Sequence, residues 1–332
     1  MASGLRAELG GRIIGCHLPL RGGMVKAADR ADEIGALAMQ VFADNPTAWR
    51  RRTEPPRELP AFRARLQELG LGPTATHAAY LINLAGADEA FWARSVAALA
   101  AELRMGAAYG AAFVNVHSGS HRGGGPSQGV ERLARGLAAA LVQADTPDTA
   151  SADRPQLVLE NSAGGGDGIG STVEELAEIA EMAQRAGVAS GRLAFCLDTA
   201  HLWGAGYDLT RADVLDDVLE RFDRLIGADR LAMLHLNDSK VDLGSHGDRH
   251  QHIGAGRIGE VGMRHLLRHP RLARVPAYLE TPGMDAGWDA RNMARVRLVI
   301  AGEPLPVLDA AALELPGARA RRERGAPAPE PV

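Results

Sequence analysis

Cysteine is nearly absent from this chain: Cys16 and Cys196 are the two in 332 residues. Both sit inside apolar, strand-like runs, so no disulfide framework can form, and buried free thiols in a reducing compartment are expected. No apolar run approaches the ~18 residues of a membrane-spanning helix. The N-terminal stretch MASGLRAELGGRIIG lacks the apolar core of a secretory signal. These absences predict a soluble, cytoplasmic protein. Aromatic residues make up only 4% against 46% hydrophobic residues in all, a balance that suits a helix-rich globular chain and not a disordered one. A large charge of one sign is missing too, since 37 Lys and Arg face 41 Asp and Glu. That balance neither demands nor excludes a polyanionic partner, because binding follows local patches and bound cations add charge of their own.

What is present is a repeated ending. Seven short apolar runs each stop at a residue type that binds metals: His17, His77, His117, Glu160, Asp198, His235 and Glu280. With 11 His and 41 Asp plus Glu in 332 residues, chance would place one after a given run about one time in six. Strand-like runs fall near 11–16, 38–42, 74–77, 113–117, 156–160, 193–198, 231–236 and 277–280. Helical periodicity fills the gaps, near 24–36, 57–69, 88–109, 127–143, 172–187, 211–226 and 260–268, with a last helix near 289–301. Ser171 or Thr172 with Glu174 or Glu175 marks a helix start. Eight βα units in series predict an α/β fold of the (β/α)8 TIM-barrel type, a single domain over 1–302. An open doubly wound sheet competes, but the chain after the first strand, HLPLRGGM, lacks its phosphate fingerprint. Gly254-Ala-Gly256-Arg-Ile-Gly259 has the letters of that fingerprint but follows a polar loop and not a strand. Residues 303–332, rich in Ala, Pro and Arg, show no apolar period and are expected to be a disordered tail.

In such a barrel the strand ends converge at one face. His77, His117, Glu160, Asp198, His235 and Glu280 would meet there, joined by His201 from Asp198-Thr-Ala-His201 and by Asp248 and His250 from a long loop. Taken singly, each has an ordinary explanation: a hydrogen-bonded scaffold His, a helix N-cap for Asp198 or Glu160, a solvated Asp-x-His. Together, several carboxylates at one rim would repel unless positive charge sat among them. Mixed imidazoles and carboxylates suit divalent cations, zinc above all. Nine donors exceed the need of one ion, and clusters of two or three ions belong to phosphoester chemistry.

The motifs carry a family resemblance. Gly15-Cys-His17, His77-Ala-Ala-Tyr80-Leu-Ile-Asn83, Asn115-Val-His117-Ser-Gly119-Ser-His121, Glu160-Asn-Ser-Ala-Gly164, Asp198-Thr-Ala-His201, His235-Leu-Asn-Asp238-Ser-Lys240, Asp248-Arg-His250 and Leu279-Glu280-Thr281 resemble, in order and spacing, those of the endonuclease IV family of apurinic/apyrimidinic endonucleases. The resemblance implies three zinc ions: His77, His117 and bridging Glu160 for the first; Glu160, Asp198, His235 and Glu280 for the second; His201, Asp248 and His250 for the third. His17 then stands outside the ligand set, and His121 and His252 become outer-sphere or phosphate contacts. It also implies hydrolysis of the phosphodiester 5′ to an abasic site in duplex DNA, leaving a 3′-hydroxyl, with trimming of blocked 3′ ends, by a monomer in which Glu160 and Glu280 are the catalytic carboxylates.

DNA contacts are expected at the barrel mouth. Tyr80 matches a family residue that inserts into the duplex. Asn45-Pro-Thr-Ala-Trp49-Arg50-Arg51-Arg52 reads as a solvated basic turn or as phosphate contacts beside a stacking aromatic. Thr47 stands where some family members have an Arg, so Arg50–Arg52 would have to substitute for it. Lys240 is a further phosphate candidate, and Gly-rich 164–170 and 254–259 either approach the DNA or turn the chain. The alternative is a metal-dependent sugar isomerase or epimerase on a related barrel, which would leave His77, His117, His201, Asp248 and His250 without a role.

Overall fold

The computed structural model describes residues 2–145 and 154–315. Eight parallel strands close into a barrel. They are β1 (Ile14–His17), β2 (Ala38–Phe42), β3 (Thr74–His77), β4 (Phe113–His117), β5 (Gln156–Glu160), β6 (Leu193–Asp198), β7 (Leu231–His235) and β10 (Ala277–Leu279). Neighbours in sequence are neighbours in space, and β1 closes the ring against β10. Between β7 and β10 the chain makes a short antiparallel ribbon, β8 (Asp238–Ser239) with β9 (His250–Gln251).

Each strand is short and buried on both faces, which is why the runs are continuously apolar and not alternating. Inside the barrel, Ala38, Ala75, Val158, Ala194, Cys196, Met233 and Tyr278 form a closed cluster. The small alanines leave room for Met233 and Tyr278, and the Tyr278 hydroxyl reaches the Pro73 carbonyl at 2.8 Å, so its one polar atom is satisfied. Gly15 pairs with Ala38 across β1 and β2. A Cβ there would lie 2.3 Å from the Ala38 carbonyl oxygen, so only glycine lets the two strands approach. The larger apolar layer lies between the strands and the surrounding helices. The helix Val173–Arg185 starts at a capping box in which Thr172 accepts from Glu175 N and the Glu175 side chain returns to the cap.

Both glycine-rich segments serve the chain's own turns. The stretch 254–259 wraps the buried carboxylate of Asp238, which accepts from the N–H groups of Gly256, Ile258 and Gly259. A Cβ on Gly256 would lie 2.4 Å from the Ser239 carbonyl, so the turn cannot carry a side chain there. Segment 164–170 bridges to the loop after β4, where His121 N donates to the Asp167 carbonyl.

The expected tail boundary at 302 moves. Residues 303–315 pack back on the barrel: Arg295 holds the Pro306 carbonyl, and a short helix, Ala310–Leu313, buries Ala312. Carbonyl acceptors were the missing signal, because this segment is held by its backbone and not by an apolar period. Residues 316–332 lie outside the described residues. No helix among the described residues is long and apolar enough to cross a membrane.

Candidate metal centre

The parallel register sets the site. His77 pairs with Asn115, His117 with Glu160, and Asp198 with His235. The strand ends are staggered by two residues at β3/β4 and at β5/β6, where Glu160 pairs with Cys196, and the last residues of β3 to β7 still gather in one ring, with Glu280 directly after β10. Asp198 does two things. One carboxylate oxygen accepts from His201 N and caps the short helix Thr199–Gly204, which aims His201 back at the ring. The other oxygen faces His250 Nε2 at 3.5 Å and His235 Nδ1 at 3.8 Å. The N-cap and the inward-facing roles coexist on one side chain.

The donors fall into three groups, each with its ligand atoms within 4.8 Å of one another: His77, His117 and Glu160; Glu160, Asp198, His235 and Glu280; and Asp198, His201 and His250. Asp248 joins the third, with Oδ1 at 3.3 Å from His201 Nε2 and 3.2 Å from His250 Nε2. Glu160 divides its oxygens between groups. Oε2 faces His77 and His117 at 3.6 and 3.4 Å, and Oε1 faces His201 and His235, each at 3.2 Å.

Four of the five imidazoles are held by an acceptor on their outer side. His77 Nδ1 donates to the Ala78 carbonyl at 2.7 Å, His201 Nδ1 to Asn161 at 2.9 Å and His250 Nδ1 to Glu280 at 3.0 Å. His235 Nε2 donates to Gln40 Oε1 at 3.1 Å. A carbonyl can only accept, so the outer nitrogen carries the proton and the inner one presents its lone pair to the ring. Buried His235 Nδ1 and His250 Nε2 accordingly make no hydrogen bond. Lone pairs and carboxylate oxygens facing one another at 3.2–3.8 Å repel. A divalent cation resolves the conflict, so these residues fit metal ions.

The titration behaviour shows the same demand. Burial alone would raise Glu160, yet His235, His117 and His201 hold its carboxyl well below the usual range. Burial would lower His250, but Asp198 and Asp248 push it up to about 9. His201 and His235 also rise against burial, His201 because of Asp198 and Asp248 and His235 because of Cys196, Glu280 and Glu160. His117 goes the other way, down to about 4, because burial, with His77 and His201 beside it, outweighs Glu160 and Asp248. Protons here take the place that cations would otherwise fill.

The ring opens into a cavity of about 1260 Å³. His117 is the most exposed of its first group, with about a third of its side chain accessible. Tyr80 lines the cavity, its ring beside those of Phe42, His77 and His117.

Three comparisons bear on this geometry. Residues 28–298 match the family model described as a xylose isomerase-like TIM barrel. The probable endonuclease 4 of Methanoculleus marisnigri is 41% identical over 285 residues, covering 86% of this chain and 98% of that one. The chain belongs to the endonuclease IV family. A crystal structure of endonuclease IV from Thermus thermophilus, 38% identical, aligns with a TM-score of 0.73 over 87% of this chain and 99% of that one. A D-tagatose 3-epimerase-like protein aligns at 0.58 but is 15% identical over 87% of this chain, a likeness of fold alone. Family members are DNA-cleaving, metal-dependent hydrolases, and the sugar-isomerase alternative is not favoured.

Several expected residues sit differently. His17 Nδ1 lies 3.1 Å from Glu280 Oε1 and orients that carboxylate from behind, outside all three groups. His252 is fully buried, stacked on Trp288 and directed at the Ala312 carbonyl, so it cannot touch a phosphate. His121 accepts from Gly125 N and faces Asp167, which fixes a loop. Lys240 is not a free phosphate ligand, because Nζ donates to the carbonyls of Leu313 and Leu315, each at 2.7 Å. Arg51 is spent on structure, bonding buried Glu102 and the Asn45 carbonyl, each at 2.7 Å. Trp49 is no open stacking platform, with Arg94 over its ring at 4.5 Å and Phe91 against it. Arg50 remains exposed.

Sequence reasoning missed four carboxamides. Gln40 and Asn115 donate to Glu280 and Glu160, at 2.8 and 2.6 Å. Asn237 donates to Asp198 at 2.7 Å and accepts from Glu280 N. Asn161 accepts from Asp198 N through its side-chain oxygen, while its backbone carbonyl accepts from His201 Nδ1. A buried Gln in the apolar strand AMQVF was the available signal, since such a group must find partners.

Proposed function

We propose that this chain is a three-zinc apurinic/apyrimidinic endonuclease. It hydrolyses the phosphodiester 5′ to an abasic site in duplex DNA, leaves a 3′-hydroxyl and a 5′-deoxyribose phosphate, and trims blocked 3′ ends. The observation that carries this reading is the two-sided placement of Glu160, whose two oxygens serve different donor groups. That arrangement fits a bridging carboxylate in a multi-ion cluster and gives nine donors a purpose. An isomerase would account for Glu160, Asp198, His235 and Glu280 and leave the other five unexplained.

When bound, the ions activate water, polarise the phosphoryl group and stabilise the leaving oxygen. His77 and His117 with Glu160 would hold the first ion, Glu160, Asp198, His235 and Glu280 the second, and His201, Asp248 and His250 the third. The chain's own residues do the positioning. Gln40 and His17 both hold Glu280 Oε1, and Asn115 holds Glu160. Such outer partners set ligand orientation and basicity. All the donors come from one chain, so a monomer suffices. The donors lie deep at the strand ends, so the target nucleotide must leave the helix to reach them. An abasic nucleotide is the least costly to extrude, because it has no base to unstack. Tyr80, at the wall of the cavity, and exposed Arg50 would meet the distorted duplex.

The test is a labelled duplex with one abasic site. The expected product carries a 3′ end that a polymerase extends directly. A 3′ end that resists extension would mean cleavage on the other side of the lesion and would overturn the assigned bond.

A further inference from the structure

A second cavity lies on the flank of the barrel, away from the metal ring. It is about 500 Å³ and is lined by the loop after β2 and one face of the helix Glu89–Tyr109. Arg94, Ala97, Ala101, Arg104 and Ala108 follow at steps of three, four, three and four, so they share that face. The alanines leave a trough, and Arg94 and Arg104 stand at its edges, exposed, about 15 Å apart along the axis. Arg51 and Arg52 complete the lining from the loop side. No Asp or Glu lines it.

The four guanidiniums are differently committed. Arg51, buried to more than nine-tenths, is balanced by Glu102, yet its Nε has no hydrogen-bond partner. Arg52 faces Asp44 at 3.6 Å, half exposed. Arg94 lies over the Trp49 ring and Arg104 donates to the Gln143 carbonyl, so neither is offset by an acid there. Arg94 and Arg104 therefore leave net positive charge in the trough. Arg52 also lines the central cavity, so the two cavities share a wall.

We infer that this trough is a second phosphate-binding track, which holds the backbone of duplex DNA beyond the stretch engaged at the metal ring. Its occupant is a polyanion and not a small anion, because the two uncompensated charges sit about 15 Å apart, the rise of four to five base pairs at ~3.4 Å each. Shape-tolerant contacts of this kind add affinity without reading sequence. The inference rests on the nuclease reading only in taking DNA as the polyanion.

The test measures binding and not cleavage, so it stands or falls apart from the nuclease reading. Full-length protein and the double variant R94A/R104A are titrated by anisotropy with an undamaged duplex of about 30 base pairs, between about 50 and 200 mM salt. The double variant should bind about tenfold more weakly at low salt, and its salt slope should fall by about 1.8, two phosphate contacts at ~0.9 each. R94K/R104K keeps the charge and should restore the slope, which separates charge from folding. An unchanged slope on the long duplex overturns the inference. So does saturable binding of inorganic phosphate or a mononucleotide that both arginines are needed for, because that would make the trough a small-anion site.

Discussion

Gln40, on β2, donates from Nε2 to Glu280 Oε1 at 2.8 Å, while Asn237, just after β7, holds the Glu280 backbone. Its other amide atom accepts from His235 Nε2. One carboxamide thus sets the angle of a carboxylate and the tautomer of an imidazole in the same donor group. Replacing Gln40 by Leu keeps the volume roughly and removes both bonds. The expected result is a 10–100-fold loss of metal affinity or activity with the fold retained. Metal titration of the chelated protein checks it. Unchanged affinity would show that His17 alone orients Glu280.

Glu280→Gln removes the charge and keeps the shape. The account expects a folded protein with at least about a hundredfold lower nicking rate, since a neutral amide cannot replace an anionic ligand. Circular dichroism and a nicking assay on the same preparation decide it. Wild-type nicking would show that the residue after the eighth barrel strand does not serve the reaction.

Arg50 and Arg51 are neighbours with opposite expected phenotypes. Arg51→Ala strands Glu102 in a buried site, where burial already raises its pKa despite the Arg51 charge. The cost should be about 3–5 kcal/mol of stability, visible in urea or thermal unfolding. Arg50→Ala should leave stability within about 0.5 kcal/mol and weaken DNA binding, with a salt slope lower by about 0.9. A stable Arg51→Ala protein with weakened binding would reverse the assignment.

Chelated protein should lose stability as pH rises. His250 sits at about 9, raised despite burial by Asp198 and Asp248. A raised folded value means that its contribution is fully present below the unfolded value of about 6.5 and disappears as pH passes 9. The loss amounts to up to about 3 kcal/mol. Metal-loaded protein should not show it, because the cation replaces the proton. Thermal unfolding from pH 6 to 9.5, with and without chelator, gives the comparison. Parallel curves would contradict a metal–proton exchange at His250.

Most of the fold was legible because a closed parallel barrel repeats one signal eight times. Continuous apolar runs, seven of the eight ended by a polar donor, mark strand and rim together. Asp198, Glu160 and His235 could be read because their type is rare within such runs. His17 carried the same mark and does other work, since sequence shows that a residue ends a strand but not which oxygen it faces. The intramolecular partners of Lys240 and Arg51 were hidden for the same reason: nothing local tells that a backbone carbonyl of Leu313 or the buried Glu102 engages the charge. Gln40 stood out as a polar residue in an apolar strand, but its pairing with Glu280 did not, because the two are far apart in the chain. The order in 303–315 was invisible because backbone acceptors leave no trace in composition.

The central claim is that the nine strand-end and loop donors hold a three-ion cluster that cuts DNA at abasic sites. Its most direct test is stepwise zinc reconstitution of chelated protein, with bound metal and nicking of an abasic duplex measured on the same samples. The account predicts saturation near three zinc ions per chain, and nicking that rises only as the cluster fills. Saturation near one ion, or nicking undiminished in chelator, would contradict it.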